Sequence, residues 1–150
     1  MKSSTLTPAT RLAIEQGRVR EVNRRFYQIV ENLNLEELSE VWLTTPNCRC
    51  VHPGGPLLTG WEAVREGWRL LFESVHDLRI ELRRLELHME GSVAWVTCLE
   101  RMTRTTANGV ERPVYTASNL FVLHEGEWRL AQHHSSPLGT ESSHSARLAQ

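Results

Sequence analysis

The groups in this chain best suited to moving a proton are a carboxylate at Glu100, imidazoles at His52 and His134, and a phenol at Tyr115. A carboxyl and an imidazole do acid–base work when both face one water-poor concavity, because burial lifts a carboxyl pKa toward neutrality. Reading 93–106, 112–124 and 127–136 as strands joined by two-residue turns puts Glu100, Ala117 and His134 in one row. Adjacent strands lie about 4.8 Å apart, so the carboxylate and the imidazole flank a small alanine with space above it. Glu100 and His134 are the expected catalytic pair. The plainer alternatives are an ion pair between Glu100 and Arg83, which this register sets opposite it, and a core histidine satisfied by a carbonyl.

The expected ligand-binding residues surround that pair. Asn119 and Gln132 pair across strands, and either face a ligand or satisfy each other; Tyr115 either offers its phenol to a ligand or caps the open end. His52 precedes Pro53-Gly54 and either converges on the concavity or anchors the loop. Trp42 and Trp68 are the tryptophans placed to line a cavity. Cys50, His52 and His134 follow no ligand signature, so no metal is expected, and no cofactor.

These groups need elements to hold them. Thr7-Pro8 reads as an N-cap and a first-turn proline. The stripe Leu12, Val19, Val22, Phe26, Ile29, Val30 and Leu33 predicts a helix over about 8–33. Asn34 with Glu37, and Thr59 with Glu62, resemble capping boxes for a short second helix and for a third carrying Trp61, Val64, Trp68, Leu71, Phe72 and Val75. Cys48–His52 predicts a short strand. Four strands follow, over 79–89, 93–106, 112–124 and 127–136, joined at Gly91-Ser92, Asn108-Gly109 and Glu125-Gly126. Ile80 and Leu82 are out of phase with Leu85 and Leu87, which predicts a β-bulge near Arg83-Arg84. The expectation is an α+β domain: three N-terminal helices on a curved four-stranded antiparallel sheet plus a short extra strand, a cone-shaped half-barrel. Residues 1–7 read as a frayed start, 8–137 as the domain and 138–150 as a loose tail.

Three helices cover one face of such a sheet. The other carries Trp95, Leu99, Leu120, Val122, Ala131 and His133, an apolar centre in a polar rim, which predicts a homodimer interface. A net charge of −1 gives no electrostatic footprint for nucleic acid or anionic membrane. Three cysteines without framework spacing, no apolar leader and no long apolar run fit a cytoplasmic protein.

The segments His52-Pro53-Gly54, Leu58-Thr59-Gly60-Trp61-Glu62-Ala63-Val64 with Trp68, and Gly126-Glu127-Trp128-Arg129-Leu130-Ala131-Gln132-His133-His134-Ser135-Ser136-Pro137 resemble the SnoaL-like branch of the nuclear transport factor 2-like superfamily. The resemblance covers about residues 10–137. It implies a cone-shaped α+β fold, often homodimeric. Its functions span cofactor-free isomerases, dehydratases, cyclases and hydrolases on apolar or cyclic metabolites, and non-catalytic ligand-binding or association modules. The steroid isomerases use an aspartate base. Asp77, the one aspartate here, precedes the sheet, and Glu100 is the nearest carboxylate substitute.

Overall fold

The computed structural model describes residues 5–139. The expectations for 1–4 and for 140–150 lie outside the described residues. The order is α1 (Pro8–Glu31), a 3-10 turn (Glu36–Glu40), β1 (Arg49–Val51), β2 (Leu58–Thr59), α2 (Trp61–Glu73), β3 (Asp77–Glu90), β4 (Val93–Thr106), β5 (Gly109–Glu111), β6 (Val114–His124) and β7 (Glu127–Pro137). One sheet runs β2-β1-β7-β6-β4-β3, with β5 on β4. The α+β class is as expected. The count is not: among the described residues two α-helices and a 3-10 turn stand in place of three helices, and seven strands in place of four and an extra.

α1 starts where the sequence says. Thr7 Oγ1 accepts from Thr10 N–H at 3.1 Å, and Pro8 occupies the first turn, where its missing N–H costs nothing. From Val19 onward the helix buries Val19, Asn23, Phe26, Tyr27, Ile29 and Val30. Asn34 Oδ1 accepts from Glu37 N–H at 3.3 Å, but only a 3-10 turn follows. The cap expected at Thr59 is absent. Thr59 pairs with Arg49 in β2, and α2 begins after Gly60, whose φ of 83° suits a residue without Cβ. α2 then buries Val64, Trp68 and Phe72.

The sheet register departs from expectation at two places. The β4–β5 turn centres on Ala107-Asn108, since Thr106 pairs with Gly109. Asn108 N–H donates to Thr106 Oγ1 at 3.1 Å, and Gly109 takes φ 104° just after the turn. Every β4–β6 partner therefore slides by two: Glu100 faces Tyr115 and Cys98 faces Ala117. A slide of two keeps each side chain on its face.

The second departure does not. β7 leaves a two-residue turn in which Glu125 and Gly126 both have positive φ, the geometry that matches strand twist. It holds the expected pairs Leu123–Trp128 and Phe121–Leu130, then skips, so that Leu120 faces Gln132 and Asn119 faces His133. Ala131 is the extra residue. Beyond it every side chain of β7 changes face. Leu130 fixes the place: its N–H donates to Val41 O and its C=O accepts from Leu43 N–H, while β1 pairs in parallel with Gln132–His134 further along.

The bulge expected near Arg83-Arg84 is present, with the register jumping between Arg83 and Glu86 and Arg84 at φ 51°. Leu85 sits in that jump, exposed rather than opposite Cys98.

Candidate functional site

α1, α2 and the curved sheet enclose a cavity of about 150 Å³. Its wall is mainly apolar, from Phe26, Val30, Trp68, Leu71, Ile80 and Met102 among others. Its polar lining groups are Tyr27, His52, Glu100, Arg104, Tyr115, His133 and Ser135.

β7 supplies two of these because of the Ala131 bulge. His133 and Ser135 turn inward and are buried, while His134 is exposed on the opposite face and Gln132 points outward. This corrects two expectations. His134 is not beside Glu100 in the concavity, and His133 is not on the open sheet face. The inward imidazole is the neighbour of the one expected.

His133 has a defined tautomer. Asn119 Nδ2 donates to Asn23 Oδ1 at 2.9 Å and to the Tyr27 hydroxyl at 3.0 Å. Both amide protons are thereby spent, so Asn119 Oδ1 is the acceptor in its 2.6 Å contact with His133 Nδ1. The ring proton lies on Nδ1, and Nε2 keeps its lone pair. Burial pushes the His133 pKa down to about 3, so the ring is neutral at neutral pH. Asn119 itself does not line the cavity; it stands behind the wall and orients the groups that do.

Glu100 is 1% exposed. Burial raises its pKa, while hydrogen bonds from Ser135 and Tyr27 and the nearby His52 pull it back in part. The Ser135 hydroxyl donates to Glu100 Oε1 at 2.5 Å. Arg83 does not neutralise it: Arg83 faces Leu99 and binds Glu81 at 2.6 Å, while Leu82 is opposite Glu100. The Tyr27 hydroxyl accepts from Asn119 and lies 3.6 Å from Cys98 Sγ, and its pKa rises well above the usual phenol value through burial.

His52 reaches the cavity from the end of β1. Its ring packs edge-on against Trp68 at 4.5 Å and lies 6.5 Å from the ring of His133. Burial first, then His133, lower its pKa to about 4. Its Nε2 is 3.6 Å from Cys50 Sγ, but His134 faces away, so Cys50, His52 and His134 do not converge. Trp68 lines the cavity and its buried Nε1 has no partner among the described residues; Trp42 packs in the core against Phe26 and Trp61 instead. Tyr115 lines the cavity as expected.

The neutral histidines make stability depend on pH. In the unfolded chain both titrate near 6.5; in the folded chain His52 and His133 hold out to about pH 4 and 3. Between those limits the unfolded chain binds more protons, so stability rises with pH, by up to ~1.4 kcal/mol per unit for each histidine. Their contribution is complete above about pH 6.5 and is lost as pH falls. Glu100 opposes them, because its raised pKa lets the folded state keep a proton the unfolded state releases. Two groups outweigh one: Tm is expected to fall as pH goes from 7.5 to 5 in a thermal melt series. A flat or rising Tm would show that the imidazoles are not buried neutral.

Sequence reading missed Asn23, Tyr27 and Ser135. Asn23 and Tyr27 are four residues apart on the buried side of α1, between Val19 and Val30, and a polar pair at that spacing on an apolar stripe was the available signal. Ser135 was hidden by the bulge.

Comparison with known proteins gives a match to the SnoaL-like domain over residues 19–140. An F-box protein, SKIP8, from Arabidopsis thaliana is 26% identical over 115 residues, covering 77% of this chain and 47% of that protein. The chain thus spans about half the length of that curated relative. Among solved structures, an NTF2-like family protein from Streptomyces avermitilis, provisionally assigned as a dehydratase, superposes with a TM-score of 0.80 at 27% identity, over 85% of this chain and 99% of that one. A protein from Thiobacillus denitrificans, provisionally assigned as a calcium/calmodulin-dependent kinase type II association domain, gives 0.71 at 25% identity, over 79% and 93%. A nuclear transport factor 2-like superfamily protein from Salmonella enterica gives 0.81 at 14%, over 87% and 95%, a likeness of fold.

Proposed function

We propose that this chain, which belongs to the SnoaL-like domain family, is a small-molecule-pocket protein that performs cofactor-free acid–base chemistry on a compact, largely apolar cyclic metabolite. The observation that carries the proposal is His133, held neutral with its Nε2 lone pair unspent, lining the same cavity as the buried carboxyl of Glu100.

The two groups divide the work. His133 Nε2 takes a proton from a carbon next to a carbonyl. Glu100, with its raised pKa, gives its proton to a departing hydroxyl. A β-hydroxy ketone thereby loses water and becomes an enone. The imidazolium and carboxylate left behind have opposite charges in one low-dielectric cavity, which stabilises the imidazolium that burial otherwise disfavours. Proton return from His133 to Glu100 resets the site. His52, packed on Trp68 and 6.5 Å from the ring of His133, orients the substrate. The likeness to the Streptomyces avermitilis protein supports a dehydratase-type reaction.

The test is proton exchange in D2O with 3-hydroxycyclohexanone as probe. Deuterium entering the carbon next to the carbonyl above the buffer rate, with cyclohexenone formed, is the expected result. Neither deuterium uptake nor dehydration for this ketone or its five-membered homologue would refute the acid–base reading.

A second reading has its own observation. Trp95, 38% exposed and stacked on His88 at 5.6 Å, lies with Leu99, Leu120 and Val122 on the face that the helices leave bare. That patch supports homodimerisation, and the likeness to the Thiobacillus denitrificans association domain adds to it. Ala131, which the bulge buries, and His133, which lines the cavity, drop out of the patch. Leu120→Arg is expected to convert a dimer to monomer in sedimentation velocity. A wild-type monomer at tens of micromolar would end this reading.

A further inference from the structure

The cavity has a cation that acid–base chemistry does not use. Arg104 lies on β4, two positions beyond Met102 and four beyond Glu100, so all three side chains share the inner face. At roughly 3.3 Å per residue, its Cα is about 13 Å along the strand from that of Glu100. Arg104 lines both the cavity and the open groove outside it, a groove formed by Leu70, Ser74, His76 and the β4–β5 hairpin. His52, Leu71 and Val75 are likewise shared by the two spaces. The residues common to both spaces mark the mouth, and Arg104 stands in it.

Its guanidinium is half committed. Nε donates to Glu111 Oε2 at 2.8 Å, and against the cost of burial that bond strengthens its hold on the proton. No carboxylate among the described residues pairs with its terminal nitrogens. The side chain keeps 28% of its surface exposed, so those nitrogens are reached without dismantling the fold. Deeper in, the charges are different. His52 and His133 are neutral, and the one carboxyl lining the cavity is Glu100. An anionic group placed beside Glu100 would find no cation to pair with in a dry site. At the mouth it meets a guanidinium built for two parallel hydrogen bonds to a carboxylate.

We infer that Arg104 selects ligands with a carboxylate tail: the compact apolar body fills the cavity against Trp68, and the carboxylate docks on Arg104 at the mouth. This rests on the pocket reading above and adds the substrate class, small cyclic or aromatic carboxylic acids. Arg104 is a specificity residue, far from the reacting atoms. Glu111 holds it in place and competes for it.

The test compares 3-phenylpropionate with its neutral amide, 3-phenylpropanamide, by isothermal titration calorimetry against the full chain. The wild type is expected to bind the carboxylate at least about tenfold more tightly, the scale of one charge-assisted contact. Arg104→Gln is expected to bring the two within about twofold, by weakening the acid and leaving the amide unchanged. Glu111→Gln is expected to strengthen the acid, and unchanged Tm values confirm that both variants fold. Equal wild-type affinity for acid and amide would overturn the role of Arg104 and leave the pocket reading intact. Binding of neither probe would overturn both.

Discussion

His133→Ala is expected to lower enzyme-dependent proton exchange on 3-hydroxycyclohexanone by about 10²- to 10⁴-fold, the usual worth of a positioned general base. The size follows from what is lost. Nε2 is the acceptor that the Asn119 contact fixes in place, while the other neutral imidazole of the cavity, His52, is packed edge-on against Trp68. The loss is expected in kcat, because the base acts only in the transition state. Glu100→Gln keeps the shape and the Ser135 hydrogen bond but has no acidic proton. It is expected to abolish dehydration while leaving deuterium uptake measurable. If His133→Ala exchanges at the wild-type rate, the base is elsewhere.

Asn119→Ala is expected to destabilise the fold by about 3 kcal/mol or more. Asn119 is fully buried and satisfies three groups at once: Asn23 Oδ1, the Tyr27 hydroxyl and His133 Nδ1. Truncation strands these groups in a dry core, and each stranded polar group costs about 1–3 kcal/mol. Urea denaturation reads the change directly; a loss below about 1 kcal/mol would show that the network is replaceable or wet. Asn119→Asp separates positioning from stability. A carboxylate facing Nδ1 raises the His133 pKa, so the low-pH limb of the exchange profile is expected to move to higher pH. A merely structural Asn119 would lower stability without moving that limb.

How much was legible in the sequence differs sharply along the chain. α1 was legible because its cap and its apolar stripe agree, and the two-residue turns at Gly91-Ser92 and Glu125-Gly126 were legible from glycines that take φ of 58° and 81°. The Asn108-Gly109 dipeptide misled by a shift of one turn position, which slid β6 by two and left every face intact. The Ala131 bulge did the damage. One extra residue in β7 exchanged His133 for His134 in the cavity and removed His133 from the open face. Alternation alone cannot register such a residue. Its trace was the adjacent apolar pair Leu130-Ala131, and the backbone bonds from Leu130 to Val41 and Leu43 that hold it there join residues far apart in sequence. β2 and β5, of two and three residues, are too short to show a period. Glu100 survived both errors because β4 kept its own phase.

Acid–base chemistry in this cavity depends on His133 being a neutral imidazole with its lone pair on Nε2. Histidine side-chain nitrogen NMR on uniformly 15N-labelled protein, with His133 assigned by His133→Ala and followed from pH 7.5 to 4.5, tests it most directly. The expected result is a single tautomer protonated on Nδ1, an Nε2 shift typical of an unprotonated ring nitrogen, and no titration above pH 4.5. A His133 ring that carries its proton on Nε2, or that titrates near pH 6.5, would contradict it.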